Sequence, residues 1–425
     1  MFSTLANAWK IPELRKKLMF TVLMLLIYRL CSVIPVPFID ASQLANYFDS
    51  TLSNTILGLY DAMSGSAFST ATVLALGIQP YINASIIIQL LTVALPPLER
   101  MAKEEGEAGK KKIERITRYT TVGLGLLLGF AYYTMMRNYA TKGLTLITAD
   151  GFLPAVVIIL AFTAGSCFVM WMGEQITEFG IGNGISMILF ANIISGLPGM
   201  LSRILDMVWW QALIIVIGLA ALVVFIIFIN DAERRVPVQY AKRVVGRKIM
   251  GGQNTNLPIK VAMSGVMPII FASSICSIPA TICAFVPGWT EGNWYKYVWS
   301  PNSWVYFVLY VLMIFFFSWF YSTIQYDPVE ISNNLKKNGG FIPGFRPGKP
   351  TSDFIQKVIN KIIVFGAMYL AIVAGLPIVA GNLMSSVQNL AIGGTSIIII
   401  VGVALETVKA LEAQMLMRHY KGFLD

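Results

Sequence analysis

The polar residues with the most potential for chemistry lie inside an apolar run, residues 77–91, which read GIQPYINASIIIQLL. The second half of this run is apolar enough to sit in a bilayer, but the first half contains Gln79, Pro80 and Asn83. Amide side chains and helix-breaking prolines are unfavourable in a lipid-facing helix, because lipid offers no hydrogen-bond partner to an amide or to a freed backbone group. The run therefore predicts a membrane span with at least one face turned away from lipid.

Residues that perform catalysis or hold metals are scarce in the apolar runs. The single histidine, His419, lies in the C-terminal tail, and the four cysteines have no C-x-x-C spacing. GIGNG (180–184) lacks the Lys-Ser/Thr of a phosphate-binding loop and predicts a flexible connection into a span. Arg29 is the one ionisable residue deep within a predicted span. We predict no catalytic residue, metal or cofactor, and the scarcity of intramembrane carboxylates disfavours an ion-coupled pump.

The composition is typical of a polytopic membrane protein. Of 425 residues, 56% are hydrophobic and 13% are charged, against about 25% charged residues in soluble domains. A helix needs about 20 apolar residues to cross the hydrocarbon layer, and its backbone polar groups must be satisfied within the segment. Ten predicted helical spans meet this description: roughly 18–37, 73–95, 116–136, 152–172, 181–198, 208–230, 260–286, 303–325, 358–379 and 387–411.

Basic residues are distributed unevenly between the two sides of these spans. The termini and the connections on their side carry 27 Lys and Arg residues, and the opposite connections carry four. The positive-inside rule then places both termini in the cytoplasm. The net charge of +10 mostly reflects this asymmetry. Ten spans with both ends inside also permit two inverted halves of five spans, 1–200 and 201–425.

The apolar stretch from Ile56 to Leu95 is too long for one crossing. Asp61 and the small residues SGSAFSTAT (64–72) interrupt it. This pattern predicts a re-entrant half-helix near 56–65, a turn, and then a full span. A half-helix within the membrane needs protein or a water-filled cavity around it. A helix lying on the outer surface is the alternative interpretation.

Two long cytoplasmic connections, about 231–259 and 326–357, are rich in basic residues. VPVQY (236–240) alternates loosely and has a proline typical of an edge strand, which predicts a hairpin. NGGFIPGFRPGKP (338–350) predicts tight turns around Arg346. Solvated loops that only carry topology-determining charge are the alternative. Their length favours a docking surface for an acidic partner, either RNA phosphates or an acidic protein face.

Five motifs in the same order resemble the SecY family of bacterial protein-conducting channels. They are GIQPYINASIIIQLL (77–91), GEQITEFGIGNGIS (173–186), VPVQYAKR (236–243), GFIPGFRPG (340–348) and GGTS (393–396). The resemblance implies an all-α polytopic membrane protein, with ten transmembrane helices in two inverted pseudo-symmetric halves and a re-entrant plug half-helix. It implies an hourglass pore for unfolded secretory polypeptides in the bacterial inner membrane, and a lateral gate between spans 2 and 7, with span 3, that releases transmembrane segments into lipid.

The resemblance also implies partners and site residues. The partners are SecE, SecG, the SecA ATPase, the ribosome, signal peptides and nascent chains. The aliphatic pore ring falls on Ile82, Ile86, Ile185, Leu189, Ile270 and Ile399. The plug falls on about 55–68, with Leu59, Met63, Ser64, Gly65 and Ser66. The lateral gate falls on Ser85, Gln89, Thr92, Leu128, Ala262 and Ser264. The docking surface for SecA and the ribosome falls on Arg234, Arg235, Lys242, Arg243, Arg247, Lys248, Arg346 and Lys349.

The spacing of the implied ring residues fits a shared helix face, because 82/86 and 185/189 are each four residues apart. Ordinary helix packing would produce the same spacing. Given the ring, Gln79 and Asn83 are expected to border a wet funnel, and Pro80 is expected to let the span bend. The opening run would then face a water-filled path.

Two residues depart from the family pattern at the implied gate. Leu128 stands where many relatives have a glutamine. Ala262 stands where the family's K-V-N motif has its asparagine, so the motif reads Lys260-Val261-Ala262 here. Both changes remove amides from a polar cluster that keeps Thr92. A specialised accessory translocon is therefore an alternative within the family. A small-solute secondary transporter and an intramembrane enzyme are alternatives outside it.

Overall fold

Helices make up most of this computed structural model, which describes residues 7–48, 56–140, 146–149, 151–205, 208–240, 243–245, 248–250, 254–263, 265–285, 292–299, 303–383 and 394–421. In chain order the helices are α1 (Pro12–Cys31), α2 (Ala41–Tyr47), α3 (Ile56–Ser64), α4 (Gln79–Ala94), α5 (Pro96–Lys103), α6 (Gly106–Ala140), α7 (Phe152–Phe179), α8 (Gly184–Leu205), α9 (Trp209–Asp231), α10 (Met267–Phe285), α11 (Asn293–Val298), α12 (Trp304–Gln325), α13 (Pro328–Lys337), α14 (Lys349–Leu383) and α15 (Gly394–Lys421). Each predicted span overlaps one long helix of this series. The all-α membrane fold predicted from the sequence is confirmed.

Length and apolarity single out a subset of these helices as membrane spans. In the described part of the chain, four segments qualify on their own: α7, α9, α14, and α12 together with α13. Helices α4 and α5 qualify together but are bent by 104° at their junction. Helices α8 and α10 have shorter apolar segments. The count of ten spans is consistent with this fold and stays a prediction.

The second predicted span begins later than the sequence indicated and bends elsewhere. Helix α4 begins at Gln79 rather than near residue 73, because Gly65, Ser66 and Gly77 have positive φ angles and the intervening backbone forms turns. Pro80 lies in the first turn of α4, where its missing N–H has no helical partner, so it begins the helix instead of bending it. The bend lies at Leu95, since Pro96 excludes its predecessor from the helical conformation.

Helix contacts divide into two groups with two seams between them. In the first group α7 packs against α1, α6 and α8, and α6 also packs against α4. In the second group α12 packs against α10 and α14, and α15 packs against α9 and α14. At one seam α10 contacts α3, α4 and α6; at the other α8 contacts α9 and α15. This grouping follows the predicted halves 1–200 and 201–425, which remain a prediction.

The two long connections fold together into one unit. Strand β1 (Glu233–Tyr240) pairs antiparallel with β4 (Asn254–Lys260), so the predicted hairpin is present, and a short pair β2 (Arg243–Val245) and β3 (Lys248–Met250) extends it. Strand β5 (Gly340–Phe341), from the other connection, pairs with the opposite edge of β1. Strand β1 is therefore central rather than at an edge. Its proline, Pro237, is tolerated because β5 reaches only Gln239 and Tyr240.

A separate apolar core lies beneath this sheet. It joins both connections with the start of α14, and we call the described residues of 233–260 and 326–363 the platform. Alternate side chains of β1, Val236 and Val238, are 3% and 2% exposed and pack in this core. The other buried members are Ile259, Met263, Leu335, Ile342, Ile355, Ile359 and Ile363. Burial on this scale holds the platform together as a folded element rather than two solvated loops.

Helix α7 approaches the chain closely at Gly165. A Cβ atom built there would lie 2.8 Å from the carbonyl carbon of Val73. The Val73 N–H donates to Ile34 O at 3.0 Å, and the Val36 N–H donates to Ala71 O at 3.2 Å. These bonds tie the segment between the plug and α4 to the chain after α1, so the backbone at Val73 has little room to move away.

We expect Gly165→Ala to lower the melting temperature of the purified protein in detergent, because overpacking of this kind costs about 1–3 kcal/mol. Gly123→Ala is the matched control: Gly123 lies on α6 with open space around its built Cβ, and alanine is the better helix former. Equal melting temperatures for the two variants would contradict the close approach.

Candidate pore, plug and docking platform

All six predicted ring residues belong to one extended apolar cluster in the interior of the bundle. They come from α4, α8, α10 and α15, which are far apart in sequence. Ile82, Ile86, Leu189, Ile270 and Ile399 are each at most 5% exposed, and Ile185 is half-buried and packs against the same cluster. The plug residue Met63 belongs to this cluster as well. Their burial in a shared cluster is compatible with the predicted ring, which stays a prediction.

The two amides of the opening motif face the protein interior instead of a wet funnel. Gln79 and Asn83 are 7% and 8% exposed. Gln79 Nε2 donates to Met63 Sδ at 2.9 Å, and Asn83 Oδ1 is buried without a hydrogen-bond partner among the described residues. The expectation that these amides border water is therefore not met in this conformation, since both are buried and the plug residue Met63 lies beside Gln79.

The predicted plug is a half-helix packed inside the bundle. Helix α3 has nine residues, which span about 14 Å at 1.5 Å per residue and cannot cross a membrane. Leu57 and Met63 are buried, and α3 contacts α8 and α10. These contacts exclude the alternative of a helix on the outer surface. The small-residue turn begins at Gly65, as the sequence indicated.

Three side chains from three helices hold carbonyl groups of the plug. Asn192 Nδ2 on α8 donates to Met63 O at 2.8 Å. Arg29 Nη1 on α1 donates to Gly65 O at 3.4 Å, and Tyr132 OH on α6 donates to Phe68 O at 2.5 Å. The chain leaves the helical conformation here, so its carbonyls need donors from outside the segment. Arg29, Asn192 and Tyr132 provide them.

Polar residues of the plug also satisfy one another. Asp61 accepts a hydrogen bond from the Ser69 N–H at 2.7 Å, and Ser64 Oγ accepts one from the Phe68 N–H at 3.0 Å. Side-chain bonds of this type replace a helical ladder in turns. Ser64 and Met63 are buried and Gly65 is half-buried, whereas Ser66 is exposed. Asp61, which interrupts the apolar run in the sequence, therefore stabilises the turn that follows it.

Phe68 anchors the plug in the first helix group through its ring. It stacks on Tyr132 with centroids 4.4 Å apart, and Tyr132 lies 5.0 Å from Phe162. All three side chains belong to an apolar cluster formed by the first half of the chain. Sequence reasoning assigned no role to Arg29 and missed Asn192 and Tyr132. The available signal was the presence of polar groups inside apolar spans, which usually mark function.

Two of the predicted gate residues line different cavities. Leu128 lines a small cavity with Tyr60, Gln79 and Tyr132, whereas Ala262 lines a pocket near Lys260 and Glu406. Thr92 Oγ1 bonds back to Ile88 O at 2.7 Å. Thr92 lies about 20 Å along α4 from the plug end where Leu128 sits. The assignment of these residues to a lateral gate stays a prediction.

Other contacts form the seam where α10 meets α3, α4 and α6. Tyr60 OH on the plug helix and Ser277 Oγ on α10 lie 3.3 Å apart. On α4, Ser85 is half-buried and Gln89 is exposed. The polar contact at this seam thus involves the plug helix itself.

The predicted docking residues are partly described. Arg234, Arg235, Arg346 and Lys349 are exposed on the platform, and Arg235 Nε forms a 2.7 Å ion pair with Glu233. Lys242, Arg247 and Ser264 lie outside the described residues. Leu59, Arg243 and Lys248 are described by their backbone alone.

The GIGNG segment is a tight turn, which corrects the expectation of a flexible connection. The Ile181 N–H donates to Thr21 Oγ1 at 3.2 Å, and the Gly184 N–H donates to Thr177 Oγ1 at 2.9 Å. Asn183 Oδ1 accepts from the Ile185 N–H at 3.0 Å and caps α8. A Cβ on Gly184 would lie 2.9 Å from the carbonyl carbon of Gly173. The glycines serve close packing of α7 against α8.

Comparison with solved structures identifies this arrangement of helices. A structure named "The structure of a protein conducting channel" has a TM-score of 0.68 at 17% identity, covering 94% of this chain and 92% of the other. A second concerns the plug domain of the SecY protein, with a TM-score of 0.66 at 17% identity over the same shares of both chains. A third, Sec61 in a canine ribosome-channel complex, has a TM-score of 0.63 at 16% identity, again over 94% and 92%. These similarities establish the fold.

Sequence comparison establishes the family. The SecY family model matches residues 72–408. The protein translocase subunit SecY of Streptomyces coelicolor is 43% identical over 440 aligned positions, covering 100% of both chains. The chain therefore belongs to the SecY family.

Proposed function

We propose that this chain is the pore-forming subunit of a protein-conducting channel, which passes unfolded polypeptides across the membrane and releases transmembrane segments into lipid. The supporting observation is that Ile82, Ile86, Ile185, Leu189, Ile270 and Ile399, from four helices, belong to one apolar cluster in the interior of the bundle. Family membership favours this function over a small-solute transporter or an intramembrane enzyme. A specialised accessory translocon stays open because of Leu128 and Ala262.

The aliphatic ring acts as a seal that does not recognise any particular sequence. Water is unstable inside a short apolar constriction and ions lose their hydration there, so the ring prevents leak by dewetting. Aliphatic side chains form no specific hydrogen bonds, so they can pack around any residue of a passing chain. The seal thus tolerates every substrate sequence while excluding ions.

The plug adds a second closure below the ring. Its carbonyls are held by Arg29, Asn192 and Tyr132, all in the first 200 residues. Each such bond contributes about 0.5–1.5 kcal/mol net. The sum is a few kcal/mol, which is small enough for an arriving polypeptide to displace the plug and large enough to restore it afterwards.

The seam between α10 and the group α3, α4 and α6 is the lateral gate in this proposal. An apolar residue in the middle of a membrane segment favours lipid by about 0.3–0.6 kcal/mol. About ten such residues therefore provide enough free energy to offset separation of the helices. Opening at this seam also breaks the Tyr60–Ser277 contact, which couples the gate to the plug.

The platform is the docking surface for the partner that drives transport. Exposed Arg234, Arg235, Arg346 and Lys349 suit the phosphates of ribosomal RNA or acidic faces of the SecA ATPase. A structural neighbour is a channel in a ribosome complex, which supports the first of these. SecE and SecG are the proposed membrane partners. The proposed location is the bacterial inner membrane, with both termini in the cytoplasm, as the basic residues indicate.

Replacing Ile86 and Leu189 by serine should raise ion conductance through the protein reconstituted in planar bilayers, because hydroxyl groups wet the constriction. Val216→Ser, on the exposed face of α9, is the control and should leave conductance unchanged. A double variant as tight as the parent would remove both residues from the ring.

Asn192→Leu should loosen the plug, because Met63 O loses its donor. We expect amide hydrogen exchange at residues 66–69 to quicken by about three- to tenfold, as one hydrogen bond implies. Ser202→Ala, which removes a hydroxyl bonded to Pro198 O on the same helix, is the matched control. Unaltered exchange in Asn192→Leu would show that this side chain does not anchor the plug.

Arg346→Glu should weaken partner docking and slow protein export while leaving the melting temperature unchanged, because the side chain is exposed. Arg137→Glu places the same charge change on the opposite side of the membrane and serves as the control. Normal export by the Arg346→Glu variant would contradict the docking proposal.

A further inference from the structure

The loop that carries Arg346 is anchored on the N-terminal side of the arginine by two apolar side chains. Ile342, before it, is 2% exposed in the platform core. The ring of Phe345 packs on Phe354 of α14 with centroids 4.3 Å apart. Arg346 itself points outward, and its guanidinium pairs with no carboxylate in the part of the chain that the structure describes. The loop is therefore fixed while its charged side chain is left available.

Two buried hydroxyl groups fix the backbone on either side of Pro347. Thr351 Oγ1 donates to Arg346 O at 2.8 Å, and Ser332 Oγ donates to Gly348 O at 2.9 Å. Thr351 and Ser332 are each 2% exposed and come from different helices, α14 and α13. The two side chains act as a clamp on the Arg346–Gly348 segment.

The geometry of Thr351 is unusual for its place in a helix. A hydroxyl inside a helix usually donates to the carbonyl three or four residues earlier in the same helix. Here the Thr351 hydroxyl is a donor to a carbonyl five residues earlier. The same turn of α14 reaches Gly348 O through the N–H groups of Thr351 and Ser352, each at 3.1 Å. The start of α14 thus holds the arginine loop as well as its own first turn.

Two glycines make the backbone around Arg346 inherently flexible unless other groups hold it. Gly344 and Gly348 have φ angles of +88° and +109°, and glycines at these positions leave an unrestrained backbone many conformations. Ordering a loop and its side chains on binding weakens the affinity, and holding the loop in its binding conformation beforehand removes that cost. The clamp supplies this pre-organisation.

We propose that Thr351 and Ser332 are positioning residues that hold the backbone of Arg346 for contact with the phosphates of ribosomal RNA. The inference rests on the proposed docking function of the platform. Phosphate fits because the guanidinium is planar, exposed and able to donate two parallel hydrogen bonds. The two hydroxyls do not touch the partner and act only through the loop.

The experiment measures the affinity of purified ribosomes for the full-length protein in lipid nanodiscs, together with its co-purifying subunits. Thr351→Val, which keeps the shape and removes the hydroxyl, should weaken binding by about three- to tenfold, the effect of one hydrogen bond. Thr351→Ser should restore it. Ser332→Ala should resemble Thr351→Val. Thr323→Val, which removes a hydroxyl bonded within α12, is the matched control.

A double-mutant cycle separates this inference from the docking proposal. In an Arg346→Ala background, Thr351→Val should cause no further loss, because the clamp acts through that arginine. An equal loss in both backgrounds, or no loss from Thr351→Val alone, would overturn the positioning role while Arg346→Ala still weakens binding. If Arg346→Ala binds ribosomes normally, the ribosome-docking proposal fails, and this inference fails with it. If that variant instead binds SecA more weakly, the loop contacts a protein partner and not ribosomal RNA.

Discussion

Within a membrane protein, every backbone polar group must find a partner inside the protein, and the plug is where this requirement is hardest to meet. The chain leaves the helical conformation after Ser64 and stays irregular until Gln79. The carbonyls exposed by this interruption are met by Arg29, Asn192 and Tyr132 from α1, α8 and α6. The position of the plug therefore depends on side chains from those three helices.

Directional and non-directional interactions are used at different levels of the pore. The proposed ring consists of aliphatic side chains, whose contacts depend on area and can be broken and re-formed around any shape. The plug is held by hydrogen bonds, which depend on geometry and favour one resting position. Met63 belongs to both levels, because its side chain joins the aliphatic cluster while its carbonyl accepts from Asn192. This division lets the channel be tolerant of substrates and still return to one closed arrangement.

The platform links a surface charge to the helices of the second half. Strand β4 ends at Lys260, shortly before α10 begins at Met267, and α10 forms the seam with α3, α4 and α6. At the other side of the sheet, the arginine loop leads directly into α14. The proposed docking partner, bound to the platform, would be placed to act on α10 and α14 through short connections. Rigid elements suit this purpose, since a flexible loop would not transmit a displacement.

The sequence by itself determined the membrane fold class, the approximate helices, the interrupted half-helix with Asp61, the hairpin and, through motifs, the family. These properties follow from local hydrophobicity, charge and turn residues, which are readable within one segment. The tertiary structure alone decided which residues serve the plug, since Asn192 is 129 residues from Met63. It also decided the burial of Gln79, the separation of Leu128 from Ala262, and the joining of β1 with β5. Such pairings depend on packing between distant segments, and no local pattern specifies a distant partner.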